Sequence, residues 1–301
     1  MKWFVSTLAA LAFVVNVQAS DLRIISWNIE DATPHSKADF LAKVAKEQKA
    51  DILALQNVNA TPYYIANDIS EQLGPDWAYR VTTSAKNTKQ LAIFWNTRTV
   101  HLKLSKVPNN GVYEETDIQA GDRSSAPAQI GYFQKGAFDF FLINVNLMDA
   151  WQSHDVKLKQ AEVLHNWVSG RKKALSGTEN DFVVVGSFNF GFPGERASAF
   201  LEGETIDNPS YDILAGNGLL QFTMLGAWKK DPSIKTLIGD WENNDRLVDG
   251  FALSKGAARH YVAGSSNVLH VDKQFEDMDD YTDSVSNHLP VIARFKTDFE
   301  D

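Results

Sequence analysis

Cysteine is absent from this chain of 301 residues. Its absence excludes disulfides, thiol catalysis and cysteine-ligated zinc. Long apolar runs are also absent after the first residues, and a membrane-spanning helix needs about 20 apolar residues. A chain of this length can be held together by its own hydrophobic core without cross-links. Hydrophobic residues make up 44% of the chain, which is typical of a globular domain.

Positive charge is scarce, with 29 Lys and Arg residues against 38 Asp and Glu residues and a formal net charge of −9. Free-standing nucleic-acid binders usually present a basic face to the phosphates. The acidic balance therefore disfavours tight nucleic-acid binding, although it does not exclude a local basic groove.

The first residues have the pattern of a secretion signal. Lys2 precedes an apolar stretch from about Trp3 to Val15, and Val17 and Ala19 frame a signal-peptidase site. The apolar stretch is shorter than a membrane span and has no cytoplasmic basic cluster beside it. We therefore expect residues 1–19 to be a removed signal peptide and residues 20–301 to form one domain. The mature chain is expected to be periplasmic or secreted, with no membrane span.

Apolar runs of strand length alternate with amphipathic helices along the rest of the chain. Segments 39–48 and 153–168 carry apolar residues at helical spacing, with Ser153 as the candidate N-cap. The predicted strands are 22–29, 51–58, 92–95, 138–146, 181–187, 247–253 and 289–295. Strands buried on both faces and interleaved with helices predict an α/β domain with sheets inside a helical coat. The acidic end, 296–301, is expected to be a frayed tail.

Six short segments at the predicted strand ends carry the functional signal: SWNIE, LALQNVN, LINVNLMDA, VVVGSFNFG, RLVDGFALS and SNHLPVIARF. In this order and spacing they resemble the signature segments of the endonuclease/exonuclease/phosphatase family. That family includes deoxyribonuclease-type nucleases, apurinic-site endonucleases, sphingomyelinases and inositol-phosphate phosphatases. One segment would be weak support, whereas six in order across nearly the whole mature chain are strong. The resemblance implies a four-layer αββα sandwich of two mixed sheets flanked by helices.

The resemblance also implies a site where the strand ends of the two sheets converge and where the family hydrolyses phosphoesters. A divalent metal and two histidines offset the charge of the phosphate, and an aspartate orients or deprotonates water. Four family positions are retained here: Asn28 near the metal, Asn189 beside the phosphate, and Asp249, which orients the histidine His288. The Asp249–His288 pair could equally be a structural hydrogen bond between strand ends.

Four other family positions carry neutral residues. Asn57 replaces the metal-binding glutamate and Asn146 replaces the second histidine. Ser187 replaces the aspartate that activates water, and Asn287 replaces the aspartate before His288. A neutral amide lacks the charge that attracts a hard cation, and an unassisted serine is no general base near neutral pH. No metal is therefore expected at Asn57, and no cofactor is implied.

The preferred interpretation is an exported phosphoesterase-fold protein that is catalytically inactive or strongly impaired. It would act by binding a protein, a phosphorylated small molecule or a matrix component. One alternative is a divergent metal-dependent phosphodiesterase or nuclease with a relocated Mg²⁺ or Ca²⁺ site. Such a site would use other carboxylates: Glu30, Asp31, Asp149 or Glu195. The other alternative is a structural or adhesive extracellular matrix protein.

Other conspicuous residues have simpler explanations. The acidic run 275–284 could hold calcium, but it lacks the central glycine of a calcium loop, so a solvated loop is favoured. Arg123 lies where some relatives carry a phosphate-facing arginine, and surface arginines are common. The aromatic residues that could line a cleft are more often part of a core: Trp27, Trp95, Trp151, Tyr63 and Tyr64.

The signal-peptide prediction is tested at the N-terminus of the exported protein. Protein expressed in a bacterium with its first residues intact and recovered outside the cytoplasm should begin at Ser20, because the peptidase cleaves after the small residue Ala19. N-terminal sequencing and intact mass report the cleavage point directly. Recovery of a chain that still begins at Met1, in the membrane fraction, would instead favour an anchor.

Overall fold

The structure is a computed structural model, and it describes residues 21–30, 35–58, 62–82, 90–103, 113–116, 128–147, 154–175, 181–189, 209–231, 233–238 and 246–299. The strands are β1 (Leu22–Asn28), β2 (Ile52–Val58), β3 (Trp77–Val81), β4 (Gln90–Asn96), β5 (His101–Leu102), β6 (Tyr113–Thr116), β7 (Ala128–Lys135), β8 (Phe138–Asn146), β9 (Phe182–Ser187), β10 (Gln221–Phe222), β11 (Asp249–Leu253), β12 (Asn267–Val268) and β13 (Val291–Phe295). The helices are α1 (His35–Glu47), α2 (Pro62–Leu73), α3 (His154–Ala174), α4 (Pro209–Ala215), α5 (Leu225–Lys230), α6 (Ala257–His260) and α7 (Met278–Ser284).

Two mixed sheets form the centre of the fold. The first has six strands in the order β12-β13-β1-β2-β4-β3. The second has seven, in the order β10-β11-β9-β8-β7-β5, with β6 also paired to β7. β1 runs parallel to β2 and β8 runs parallel to β9, while the other neighbouring strands are antiparallel. The carboxyl ends of these two parallel pairs carry four of the signature segments.

The alternation of side chains along a strand explains why the chain forms four layers. In β1, Leu22 and Ile24 belong to the core between the sheets, while Ile25 and Trp27 belong to a second core under α1 and α2. Successive residues of a strand point to opposite faces, so an all-apolar strand must be covered on both sides. Helices α3 and α4 cover the outer face of the second sheet. The predicted αββα sandwich is confirmed.

The seven predicted strands are found to within two residues at each end. The helix predicted at 39–48 begins earlier, at His35, and the helix predicted at 153–168 continues to Ala174. Its candidate cap Ser153 and the leader, 1–19, lie outside the described residues. No helix in the described part of the chain is long and apolar enough to cross a membrane.

The acidic run 275–284 is a helix over much of its length, so the prediction of a loop is wrong. Asp277 caps α7 by accepting a hydrogen bond of 2.8 Å from the Asp280 backbone N–H. Carboxylates in the first turn also interact favourably with the helix dipole. Tyr281 is fully buried and attaches the helix to the core. The acidic composition of the run did not indicate that one of its aspartates caps a helix.

Contrary to prediction, the acidic end of the chain is not frayed but packs against the fold as far as Phe299. The Lys296 backbone N–H donates to the His260 carbonyl oxygen at 2.7 Å, and Thr297 is buried. The Phe299 ring stacks on His260 with ring centroids 4.3 Å apart. One aromatic side chain therefore attaches a segment that is otherwise polar.

A buried ion pair joins the two sheets at the end of the sandwich away from the signature segments. Lys135 Nζ lies 2.8 Å from both carboxylate oxygens of Asp51 and also donates to the Asp21 carbonyl oxygen at 2.9 Å. Asp51 also accepts hydrogen bonds from Thr99 Oγ1 and from the Arg23 backbone N–H. Each side chain of the pair is only 8% exposed, so losing one partner would leave a buried, uncompensated charge.

We therefore expect Lys135→Met to lower the free energy of unfolding by about 3–5 kcal/mol. The matched control is Lys103→Met, because the Lys103–Asp139 pair is about one-third exposed and should contribute about 0–1 kcal/mol. Urea denaturation of both variants and the wild type measures the difference. Equal losses of unfolding free energy in the two variants would show that the buried pair contributes no more than the partly exposed one.

Candidate functional site

The signature residues meet where the carboxyl ends of the parallel strands of both sheets converge. Asn28 ends β1 and Asn57 is the next-to-last residue of β2, while Asn146 ends β8 and Ser187 ends β9. β11 begins at Asp249, which is paired with Ser187 in register, and Asn189 and His288 lie just outside β9 and β13. Hydrogen bonds join seven of the eight predicted positions. The side-chain oxygen of the eighth, Asn287, is buried without a hydrogen-bond partner among the described residues.

Four asparagine side chains form a continuous chain of hydrogen bonds, which we call the amide chain. Asn189 Nδ2 donates to Asn146 Oδ1 at 3.3 Å, and Asn146 Nδ2 donates to Asn57 Oδ1 at 2.7 Å. Asn57 Nδ2 then donates to Asn28 Oδ1 at 2.8 Å. Each inner amide accepts at oxygen and donates from nitrogen, so the three bonds run in one direction toward Asn28.

Asn28 connects the amide chain to the retained Asp–His pair. Its Nδ2 donates to Ser187 Oγ at 2.9 Å and lies 3.3 Å from His288 Nε2. Ser187 Oγ in turn donates to Asp249 Oδ1, and Asp249 Oδ2 lies 2.7 Å from His288 Nδ1. All four residues are buried. Each carboxylate oxygen of Asp249 and each ring nitrogen of His288 therefore already has a protein partner.

The backbone around His288 is fixed by three side chains. Trp27 Nε1 and Tyr281 Oη both donate to the His288 carbonyl oxygen, at 3.1 and 2.6 Å. Burial raises the pKa of the Tyr281 hydroxyl above its ordinary value, so it stays a donor at neutral pH. Ser286 Oγ donates to the Asn28 carbonyl oxygen at 2.8 Å and accepts from the His288 backbone N–H at 3.0 Å. The histidine is thus held between β1 and α7.

Local backbone conformation places the asparagines. Asn57 and Asn189 have φ values of 56° and 52°, in the left-handed region that asparagine adopts more readily than most residues. Asn57 lies at a register shift between Leu55 and Val58, which turns its side chain toward β8. Gly186 has φ 137°, and a Cβ there would lie 1.9 Å from the Val145 carbonyl oxygen. Only glycine lets β8 and β9 approach this closely before Ser187.

Sequence reasoning missed three residues that hold the site. Ser286 stands two residues before His288, inside a signature segment, and its position was the available signal. Thr236 Oγ1 accepts hydrogen bonds from the backbone N–H groups of Val248 and Asp249, each at 3.0 Å. Thr236 lies outside the signature segments, and Tyr281 lies in the acidic run 275–284. No sequence pattern therefore indicated either residue.

The described side chains of this site do not fit a hard divalent cation. Such ions are bound by several carboxylate oxygens, and the amide oxygens here already accept hydrogen bonds from one another. Asp249 is the carboxylate in the cluster, and its two oxygens are used by Ser187 and His288. In the described part of the chain, the acidic run 275–284 included, no group of three or more His, Asp or Glu side chains could hold a metal ion.

The remaining candidates are distributed as follows. Glu30 is exposed beside the site, and its backbone N–H donates to Asn28 Oδ1 at 3.2 Å. Trp27 and Trp95 are buried in the core, as expected. The other candidates lie outside the described residues or have side chains that do: Asp31, Arg123, Asp149, Trp151, Glu195, Tyr63 and Tyr64.

Solved structures of the endonuclease/exonuclease/phosphatase family share this fold. A family member from Bacteroides thetaiotaomicron superposes with a TM-score of 0.64 at 16% identity, over 94% of this chain and 100% of that one. A mannosyl-6-phosphatase of the same organism gives 0.61 at 15% identity, over 90% of this chain and 98% of that one. ANGEL2, a 2′,3′-cyclic phosphatase, gives 0.62 at 16% identity, over 94% and 97%.

No family model matches the sequence, and no curated protein matches it significantly. Since the identities are low, the structural likeness defines the fold. The chain therefore has the endonuclease/exonuclease/phosphatase fold, and the resemblance carried by the six segments is confirmed at that level.

The contribution of the amide chain to stability is tested at Asn57. Asn57→Ala removes a donor to Asn28 and an acceptor for Asn146, and unsatisfied buried polar groups cost about 1–3 kcal/mol. The control is Asn217→Ala, because Asn217 has nearly the same φ, 54°, but is exposed and lies outside the amide chain. It measures the cost of placing alanine in the left-handed region alone.

Chemical denaturation should therefore show Asn57→Ala to be less stable than Asn217→Ala by about 1–3 kcal/mol. If the two variants lose the same free energy of unfolding, the amide chain adds nothing to stability beyond its backbone conformation.

Proposed function

We propose that this protein is an exported member of the phosphoesterase fold that lacks the ordinary metal-dependent activity of that fold and acts by binding. The observation that supports the proposal is the amide chain. It occupies the convergent strand ends with neutral side chains that hydrogen-bond one another, where phosphoester hydrolysis needs concentrated charge. Export is supported by the leader pattern of the first residues.

The chemistry explains why neutral residues matter here. A phosphodiester is anionic and its leaving oxygen gains further charge, so a metal ion contributes several kcal/mol to transition-state stabilisation. A general base contributes about 10²–10⁴ in rate. Ser187 at the position of the base is fully buried and donates its hydrogen to Asp249, so it has no role as a proton acceptor for water. These losses overlap, because groups that act as a unit are not additive.

The ligand is proposed to meet the outer end of the amide chain. Asn146 and Asn189 are partly exposed, whereas Asn28, Ser187 and His288 are buried behind them. The rim of the site, formed by Asn146 and Asn189, therefore offers hydrogen bonds from neutral amides. A protein, a matrix component or a phosphorylated small molecule would suit such a rim. The shared fold of the mannosyl-6-phosphatase makes a phosphorylated sugar one candidate of the last kind.

The proposal predicts that mature wild-type protein does not hydrolyse bis(p-nitrophenyl) phosphate or duplex DNA above background with Mg²⁺, Mn²⁺ or Ca²⁺. A variant that carries Asn57→Glu, Asn146→His, Ser187→Asp and Asn287→Asp restores the charges of the family at these positions. It should gain metal-dependent hydrolysis that EDTA removes, because the cluster then offers a cation carboxylate oxygens and offers water a base.

Two controls make this experiment decisive. His288→Ala added to the fourfold variant should abolish the gained activity, and circular dichroism should show that all variants are folded. The proposal is wrong if the wild type already hydrolyses either substrate with metal and its own His288→Ala variant does not.

A further inference from the structure

The direction of the amide chain is fixed at both ends by backbone groups. At the outer end, Asn189 Nδ2 donates to the Leu147 carbonyl oxygen at 2.7 Å. At the inner end, Asn28 Oδ1 accepts from the Glu30 backbone N–H at 3.2 Å. A carbonyl can only accept and a backbone N–H can only donate. Both ends therefore require the same orientation of the amides, with nitrogen atoms pointing toward Asn28 and the Asn28 nitrogen pointing onward.

Glu30 is itself held in an unusual conformation. Its φ is 41°, in the left-handed region, which is uncommon for a residue that is neither glycine nor asparagine. This conformation accompanies the hydrogen bond from its N–H to Asn28 Oδ1. The backbone strain is therefore located at the point that sets the orientation of the Asn28 amide.

The Asn28 nitrogen then determines what its two further partners can be. An amide NH₂ has two hydrogens and no acceptor capacity, and it faces Ser187 Oγ at 2.9 Å and His288 Nε2 at 3.3 Å. Both atoms must accept. Ser187 does so and still donates its own hydrogen to Asp249. His288 Nε2 can accept only if it carries no hydrogen.

We infer that Asn28 is a positioning residue that holds His288 as a neutral imidazole with its hydrogen on Nδ1, so that Nε2 acts as a hydrogen-bond acceptor. The Nδ1 hydrogen is donated to Asp249 Oδ2 at 2.7 Å. Asp249 faces the ring as a charged group, while Tyr281 and Trp27 meet the backbone carbonyl of His288 as neutral donors. A second hydrogen on the ring would set N–H against N–H at Asn28.

This inference goes beyond the proposed function, because it assigns a chemical state to the retained histidine whatever the protein binds. In the family, the resemblance implies a histidine that stabilises phosphate charge, which requires a hydrogen to donate. Here the same ring is turned into an acceptor by a neutral neighbour. Retention of the Asp249–His288 pair is then compatible with a purely structural role.

The experiment uses the mature protein labelled with ¹⁵N and two-bond ¹H–¹⁵N spectra, which distinguish ring nitrogens with and without hydrogen. The His288 signals are assigned by their loss in His288→Gln. In the wild type at pH 7, Nδ1 should carry hydrogen and Nε2 should not. In Asn28→Asp, an oxygen of similar size replaces the amide nitrogen, so His288 Nε2 should gain a hydrogen.

Asn146→Asp is the matched control. It adds the same charge to the amide chain but does not contact His288, so Nε2 should remain without hydrogen at pH 7. Asn28→Ala removes the amide nitrogen without adding an acceptor. In this variant His288 Nε2 should gain a hydrogen at a higher pH than in the wild type.

The inference is overturned if wild-type Nε2 carries hydrogen at pH 7, or if folded Asn28→Asp leaves Nε2 bare. Should Asn28→Asp not fold, the wild-type spectrum and the comparison with Asn28→Ala decide. Identical pH profiles of His288 in the wild type and Asn28→Ala would also refute the role of Asn28.

Discussion

Hydrogen bonds between side chains of opposite sheets are the constraint on which the rest of this site depends. Asn57 meets Asn146 at 2.7 Å and Asn28 meets Ser187 at 2.9 Å, each bond joining the first sheet to the second. An amide supplies a donor and an acceptor without net charge, so it can be buried when both are paired. Neutral residues thus hydrogen-bond directly across the strand ends. Like-charged side chains could occupy the same positions only with a counter-ion between them.

The polar contact between the sheets continues below the site. Gln56, next to Asn57, donates to Asn144 Oδ1 across the interface at 2.7 Å, and Asn144 Nδ2 donates back to the Leu55 carbonyl oxygen. At the far end, the Lys135–Asp51 pair makes a second polar link. The apolar core lies between these links and supplies most of the burial, while directional bonds at the two ends fix how the sheets are placed.

The pattern of buried strands and helices predicted sheets inside a helical coat. The family resemblance of the strand-end segments implied the four-layer sandwich and the gathering of the site residues. The sequence did not predict β7, whose polar Gln129 and Lys135 interrupt the apolar run yet are buried by cross-sheet partners. Nor did it predict α7, where one aspartate cap outweighs an acidic composition. Spacing in sequence places Asn28 and Asn57 near each other, but it carries no information on which amide atom faces which.

That orientation is why the four replacements form a consistent set. A carboxylate at position 57 would set an oxygen against Asn28 Oδ1, which the Glu30 N–H already holds in place. A carboxylate at position 187 would face Asp249 with like charge where Ser187 now donates a hydrogen bond. Each change alone therefore conflicts with its neighbours, whereas a cation shared by several carboxylates would remove both conflicts together. Neutrality at one position thus favours neutrality at the others, and catalysis on this fold is gained or lost as a unit.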